Sequence, residues 1–379
     1  MWKEVLNENN FGVTDNFYDL GGHSLKSLRI ISKVEEKFNV RISVNDFYNN
    51  LTILELSEFI KLNASSGNSI IDDEHLVLIR SSKDSDKKIF VFHGGNGEIY
   101  ANVNFIGNLQ YEAEYWGIRM NGFKPFGEQY DMNELASAYI ESMKKIQKNG
   151  PYQLMGWSFG GNIIIEVANQ LEKMGEIVEN LYIFDSIPPK GDYEGKIDEF
   201  TIETEVAFIY ENLKPLSNLL NRVSLDNVTV SEFWSDFINI VESDDNYENM
   251  LKKIKEDHNI KLFLPNHEEI SFKCIVDYLT RSRKLSLARD GYEPERKVNA
   301  DVTVLKATEG YQIDVEGWID YFNGKASIYN IVGTHETMFQ EENIEENTSL
   351  FNKILLNTIN KVDNDADLYD ARLDCVTVD

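Results

Sequence analysis

The chain has 379 residues, 42% of them apolar, which is enough for one large and one small domain, each with its own core. Its 64 acidic residues against 37 basic ones give a formal net charge of −27, which repels phosphate backbones and anionic lipid and argues against nucleic acid or a membrane as partner. The sequence has no apolar run long enough to span a bilayer and no signal-peptide pattern at its start, so a soluble, cytoplasmic protein is expected.

In chain order, residues 1–61 read as a small helical bundle. Trp2, Val5 and Leu6 look like the remnant of a first helix that begins abruptly. Leu25, Leu28, Ile31, Val34 and Phe38 recur every three or four positions, giving one apolar helix face that starts just after Ser24. Thr52 with Glu55 forms a capping box ahead of Ile53, Leu56 and Ile60. Residues 62–74 are mostly small and polar and read as a linker. As a flexible coil it would have an r.m.s. span of roughly 20 Å and a taut reach of about 45 Å.

From His75 to about residue 362, strands alternate with helices, the order of a mainly parallel sheet. Strands are expected at Leu76–Ile79, Ile89–Phe92, Tyr115–Ile118, Tyr152–Met155, Leu181–Phe184, Val302–Leu305 and Ile328–Val332. Leu135, Ala138, Tyr139, Met143 and Ile146 mark one helix, and Ile164, Val167, Ala168 and Leu171 another. Residues 190–300 interrupt this order with helical patterns and aromatics such as Phe200, Phe208, Tyr210, Phe233, Trp234, Phe237, Phe272 and Tyr278. None of this segment is expected in the strand framework, and ordinary core packing is favoured over contact with an acyl chain for any single one of these aromatics. The tail, 363–379, is acidic and aperiodic, as a solvated segment would be. The two cysteines, Cys274 and Cys375, are too few for a disulfide framework and lack partners at metal-ligand spacing, so no metal site is expected and Cys274 reads as a small buried residue.

Two serines stand in chemically informative contexts. Gly156-Trp157-Ser158-Phe159-Gly160 has the Gly-x-Ser-x-Gly form of a nucleophile elbow, with a strand before it and a helix after it. A serine hydroxyl needs a base to take its proton and an acid to orient that base. His335 is the only one of six histidines after the last strand, and Asp185 directly follows the strand after the elbow helix, where loops converge on the C-terminal sheet edge. Glu309, after the Val302–Leu305 strand, is the alternative acid; Asp185 could instead cap a turn. The Phe159 amide, next to the nucleophile, is one donor for an oxyanion. Ser24 begins a helix and could be a simple N-cap, but Ser27 three residues on does not complete a capping box.

The run Asp15-Asn16-Phe17-Tyr18-Asp19-Leu20-Gly21-Gly22-His23-Ser24-Leu25 resembles the attachment site of a peptidyl carrier domain, and His23 is more similar to peptide-synthetase carriers than to fatty-acid or polyketide ones. With the elbow and the order Ser158, Asp185, His335, nearly the whole chain resembles the termination end of a nonribosomal peptide synthetase. The resemblance implies an all-α four-helix carrier (1–61), a linker (62–74) and an α/β-hydrolase thioesterase (75–362) with a large helical lid (about 190–300) that controls water access, as a fragment excised from a longer synthetase. It implies 4'-phosphopantetheine carried covalently on Ser24, a triad of Ser158, Asp185 and His335, and a second oxyanion donor at Gly95, with Asn96 as its neighbour. Implied partners are a peptidyl or acyl thioester, upstream condensation and adenylation domains, and a phosphopantetheinyl transferase. The implied activity is release of the chain through a Ser158 acyl-enzyme, by hydrolysis or macrocyclisation. The alternatives are an inactive carrier and docking module, transfer to an external amine or alcohol, and editing of misacylated carriers.

Overall fold

The computed structural model describes residues 1–22, 24–38, 40, 42–63, 73, 75–82, 84–120, 129–189, 200–256 and 271–360. His23, most of the expected linker, His258, His267, Cys375 and the acidic tail lie outside the described residues.

Four helices open the chain: α1 (Trp2–Leu6), α2 (Ser24–Phe38), α3 (Val44–Tyr48) and α4 (Ile53–Asn63). The Thr52 box forms as the sequence requires: the Glu55 amide donates to Thr52 Oγ1 at 3.2 Å, and the Thr52 amide donates to the Glu55 carboxylate at 3.0 Å. Trp2, Phe17 and Phe47 meet edge to face or tilted at the bundle centre. This core is not closed on itself. Helix α3 packs against the first strand of the sheet and against α5 (Tyr100–Gly107), so the bundle's apolar cluster continues through Ile79 and Val103.

The sheet has seven strands: β1 (Leu76–Arg80), β2 (Lys88–Phe92), β3 (Glu114–Ile118), β4 (Tyr152–Trp157), β5 (Val178–Phe184), β6 (Asp301–Ala307) and β7 (Ala326–Ile331). Their order is β1-β3-β2-β4-β5-β6-β7, parallel throughout except for the antiparallel edge pair β1 and β3. Period-two alternation along β5 builds both faces. Leu181 and Ile183 join the core under α6 (Met132–Ile146) and α7 (Phe159–Lys173), whereas Tyr182 and Phe184 join the cluster that holds Phe105 and Phe351.

The segment expected to form a lid contains α8 (Ile202–Asn212), a 3-10 segment (Lys214–Arg222), α9 (Val230–Glu242), α10 (Tyr247–Glu256) and α11 (Phe272–Asp290). Phe233, Trp234, Phe237 and Phe272 pack into a third core of its own, while Tyr210 is exposed. Two expectations need correcting. Cys274 is exposed, because it lies on the outer face of α11. Nor is the whole insertion separate from the strand framework: Leu285 of α11, with Val298 and Ala300 after it, is buried in the core that α6 and α7 share with the sheet.

A buried ion pair ties the lid helices together. Arg283 makes a bidentate contact with Glu205 at 2.6 and 2.9 Å, Trp234 Nε1 donates to the same carboxylate at 2.6 Å, and the guanidinium lies 4.5 and 4.1 Å from the Phe200 and Phe208 ring centres. Arg283→Met strands a buried carboxylate and should cost about 3–5 kcal/mol, whereas Arg283→Met with Glu205→Gln should recover most of that loss. Chemical denaturation followed by Trp fluorescence checks the ranking.

Candidate active site

The sharpest local constraint is at Ser158, which sits between β4 and α7 with φ 56° and ψ −126°, a left-handed conformation costly for a residue with a Cβ. The turn is held by the Ser158 amide, which donates to the Phe184 carbonyl at 3.0 Å. It can be this tight only because Gly156 and Gly160 face each other: a Cβ on Gly156 would lie 2.2 Å from the Gly160 carbonyl carbon. The hydroxyl is thereby lifted out at the sheet's C-terminal edge, at the start of a helix.

His335 comes to it from the loop after β7. Its Nε2 accepts from Ser158 Oγ at 3.1 Å, and its Nδ1 donates to Asp185 Oδ2 at 2.8 Å. Asp185 is 1% exposed and also sits at positive φ, 42°, and the Ala307 amide donates to its other oxygen at 2.9 Å. Glu309 is exposed, and no hydrogen bond from it to His335 is found among the described residues. The structure therefore brings Ser158, Asp185 and His335 together and leaves Glu309 apart.

Two residues that the sequence reading did not single out hold the histidine in place. Trp157 Nε1 donates to the His335 carbonyl at 3.2 Å, and its ring lies 5.0 Å from the imidazole. Asn347, buried in the terminal helix α12 (Glu341–Asn360), donates to the carbonyls of Val332 and Met338 at 2.8 and 2.9 Å and accepts from the Val332 amide at 2.9 Å. It pins both ends of the loop that carries His335. A polar residue on the apolar stripe that leads to Phe351 and Leu355 was the available signal.

Phe159 is the first residue of α7, so its amide has no partner within the helix. The loop after β2 lies beside it: the His93 ring stacks on Phe159 at 5.6 Å and 11°, and a Cβ on Gly160 would meet the His93 carbonyl oxygen at 2.9 Å. Within that loop the amides of Gly94 and Gly97 donate to Glu98 and Gly94 carbonyls at 3.4 and 3.1 Å, and that of Glu98 to Asn96 Oδ1 at 3.0 Å. Among the described residues, the amides of Gly95 and Asn96 have no such acceptor. A cavity of about 250 Å³ is lined by Ser158, Asp185 and His335 themselves together with Asn162, Ile187, Arg289, Tyr311, Ile313 and Glu336. Ser24 stands at the start of α2, whose first turn carries no acidic residue.

Residues 87–355 match the thioesterase domain family and residues 1–60 match the phosphopantetheine attachment site family. The chain belongs to the thioesterase domain family, joined to a segment of the kind that carries covalent phosphopantetheine. It is 31% identical over 189 residues to a dimodular nonribosomal peptide synthase of Bacillus subtilis, covering 50% of this chain and 8% of that protein. It is 26% identical over 382 residues to gramicidin S synthase 2 of Brevibacillus brevis, covering 94% of this chain and again 8% of the relative. The chain thus spans less than a tenth of the length of these curated relatives. Its fold is shared with a four-domain nonribosomal peptide synthetase (21% identity, TM-score 0.57, 93% of this chain and 25% of the other). It is also shared with the Vlm2 thioesterase domain bound with a dodecadepsipeptide (17% identity, TM-score 0.50, 74% and 96%). No helix among the described residues is long and apolar enough to cross a membrane.

His93 supplies a test of this loop. Burial pushes its pKa from 6.5 down to about 4, and it is held neutral with Nδ1 donating to the Gly94 carbonyl and Nε2 accepting from Tyr139, both at 2.7 Å. Between those pH values the unfolded chain takes up a proton that the folded chain refuses. Stability should therefore be unaffected above pH 6.5 and fall as pH drops toward 4, by on the order of 3 kcal/mol. Unfolding curves of His93→Gln should show a smaller loss than wild type across that window.

Proposed function

We propose that this chain ends a nonribosomal assembly line by releasing an acyl or peptidyl chain from its own carrier segment through an ester on Ser158. The observation that carries the reading is the continuous hydrogen-bonded chain Ser158–His335–Asp185, built on the same polypeptide as a phosphopantetheine attachment segment. Ser24 is the assigned attachment residue. The unopposed N-terminus of α2 suits a phosphodiester, since no acidic side chain occupies its first turn. When bound, the group supplies the thiol on which the acyl chain is held as a thioester. Upstream condensation and adenylation domains and a phosphopantetheinyl transferase are the partners that this reading requires.

Each step follows from the site. His335 Nε2 takes the Ser158 hydroxyl proton as Oγ attacks the thioester carbonyl, and Asp185 stabilises the imidazolium through Nδ1. The carbonyl oxygen becomes an oxyanion, with the Phe159 amide and the Gly95 amide, or its Asn96 neighbour, as donors. Collapse breaks the carbon–sulfur bond, and His335 returns its proton to the departing thiol. Water, or a hydroxyl or amine within the chain itself, then attacks the ester with His335 again as base, restoring Ser158 and giving an acid, lactone or lactam.

Ser158→Ala should lower turnover on the order of 10⁶-fold while leaving the Ser24 arm intact, and only the wild type should be labelled by a fluorophosphonate. Labelling of neither protein would instead make the hydrolase segment an inactive docking module. Coenzyme A with a broad-specificity transferase should add one arm to wild type and none to Ser24→Ala, as mass spectrometry reports. Asp185→Asn should cost about 10⁴-fold, by favouring the wrong histidine tautomer, whereas Glu309→Gln should change turnover little; the reverse ranking moves the acid to the β6 side.

A further inference from the structure

The lid helix α11 reaches the loop after β2 through two consecutive side chains. Arg281 Nη1 donates to the Asn96 carbonyl at 3.4 Å and lies 3.5 Å from Glu98 Oε1, and both side chains are largely buried, 14% and 10% exposed. Ser282 Oγ is 3.6 Å from the point where a Cβ on Gly95 would stand. The approach depends on Gly97, which has φ +81°: a Cβ there would lie 2.7 Å from Arg281 Cδ. The loop is thus gripped from outside by the lid and from inside by the elbow, where a Cβ on Gly94 would touch the Trp157 ring at 3.0 Å. The peptide whose carbonyl Arg281 holds directly follows the two amides that lack acceptors.

We propose that Arg281 is a positioning residue for the reaction: by holding Asn96 and Glu98, it fixes the 94–97 loop so that the Gly95 and Asn96 amides stay turned to the oxyanion. This rests on the donor assignment made above. It also gives α11 a part in the chemistry that its place in the lid does not announce. The lid and the donor loop become one rigid unit at this corner, so displacing α11 would loosen the donors as well as open the site. A misplacement of about 1 Å at such a group is worth on the order of 10²-fold in rate.

The test measures phosphonylation of Ser158 by an alkyl fluorophosphonate on the intact chain, separating the limiting rate from half-saturation. Because removing Arg281 alone takes the cation from a buried carboxylate, the variant is Arg281→Met with Glu98→Gln, and Arg281→Lys is compared with it. The limiting rate should fall about 10²-fold in the double variant, the scale expected for a misplaced donor, with half-saturation and the pH midpoint unchanged. Arg281→Lys, which keeps a donor and a charge, should recover at least part of the rate. A double variant that folds to wild-type stability yet keeps its limiting rate, or loses only half-saturation, overturns the role. Gly95→Pro, which removes that amide, separates the two assignments. If Gly95→Pro and Asn96→Pro, which removes the neighbouring amide, both react at the wild-type rate, the donor assignment fails and takes this role with it; if either proline variant is slow while the double variant is not, the role of Arg281 alone fails.

Discussion

The strained turn at Ser158 is the constraint from which the rest of the site follows. A residue with a Cβ is held at positive φ, and the surroundings must over-determine that conformation for it to persist. They do so by close backbone packing. Gly156 lies against Gly160, Gly160 against the His93 carbonyl, and the Ser158 amide is tied to β5 at Phe184. One turn therefore fixes Ser158, opens the N-terminus of α7 beside it and brings the loop after β2 to the same point.

His335 and Asp185 are secured by other means. Asp185, also at positive φ, is anchored to β6 through its own amide, which donates to Leu305 at 2.7 Å, and through the Ala307 amide. His335 depends on its loop, and that loop depends on Asn347 from the terminal helix and on Trp157 from the elbow itself. Trp157 thus links Ser158 and His335 from a position that the Gly-x-Ser-x-Gly pattern leaves unspecified. The helical insertion is likewise two things at once, with its own core around Trp234 and one helix, α11, that also reaches the main core through Leu285.

Much of this was legible in the amino-acid order. Seven strands, the elbow, the helix after it and the Thr52 capping box were readable because they are written in local periodicity and local side-chain chemistry. Helix α5 and the terminal helix were not. In the latter, Asn347 and Thr348 are buried polar residues set in the apolar stripe, and they blur the period that marks a helix face. Cys274 was misjudged for a related reason: burial of a single small residue depends on which way its helix faces, and α11 turns that side outward.

The sequence by itself determined the chain order of Ser158, the two candidate carboxylates and His335, because each follows a strand and each strand declares itself within a few residues. Tertiary structure alone decided which acid meets His335. Asp185 and Glu309 both leave neighbouring strands, yet Asp185 is buried against the imidazole while Glu309 faces solvent. It also decided that Arg281 touches the loop at Asn96, a contact between residues 185 positions apart. No local pattern encodes such a meeting, since it depends on how α11 packs across the finished sheet.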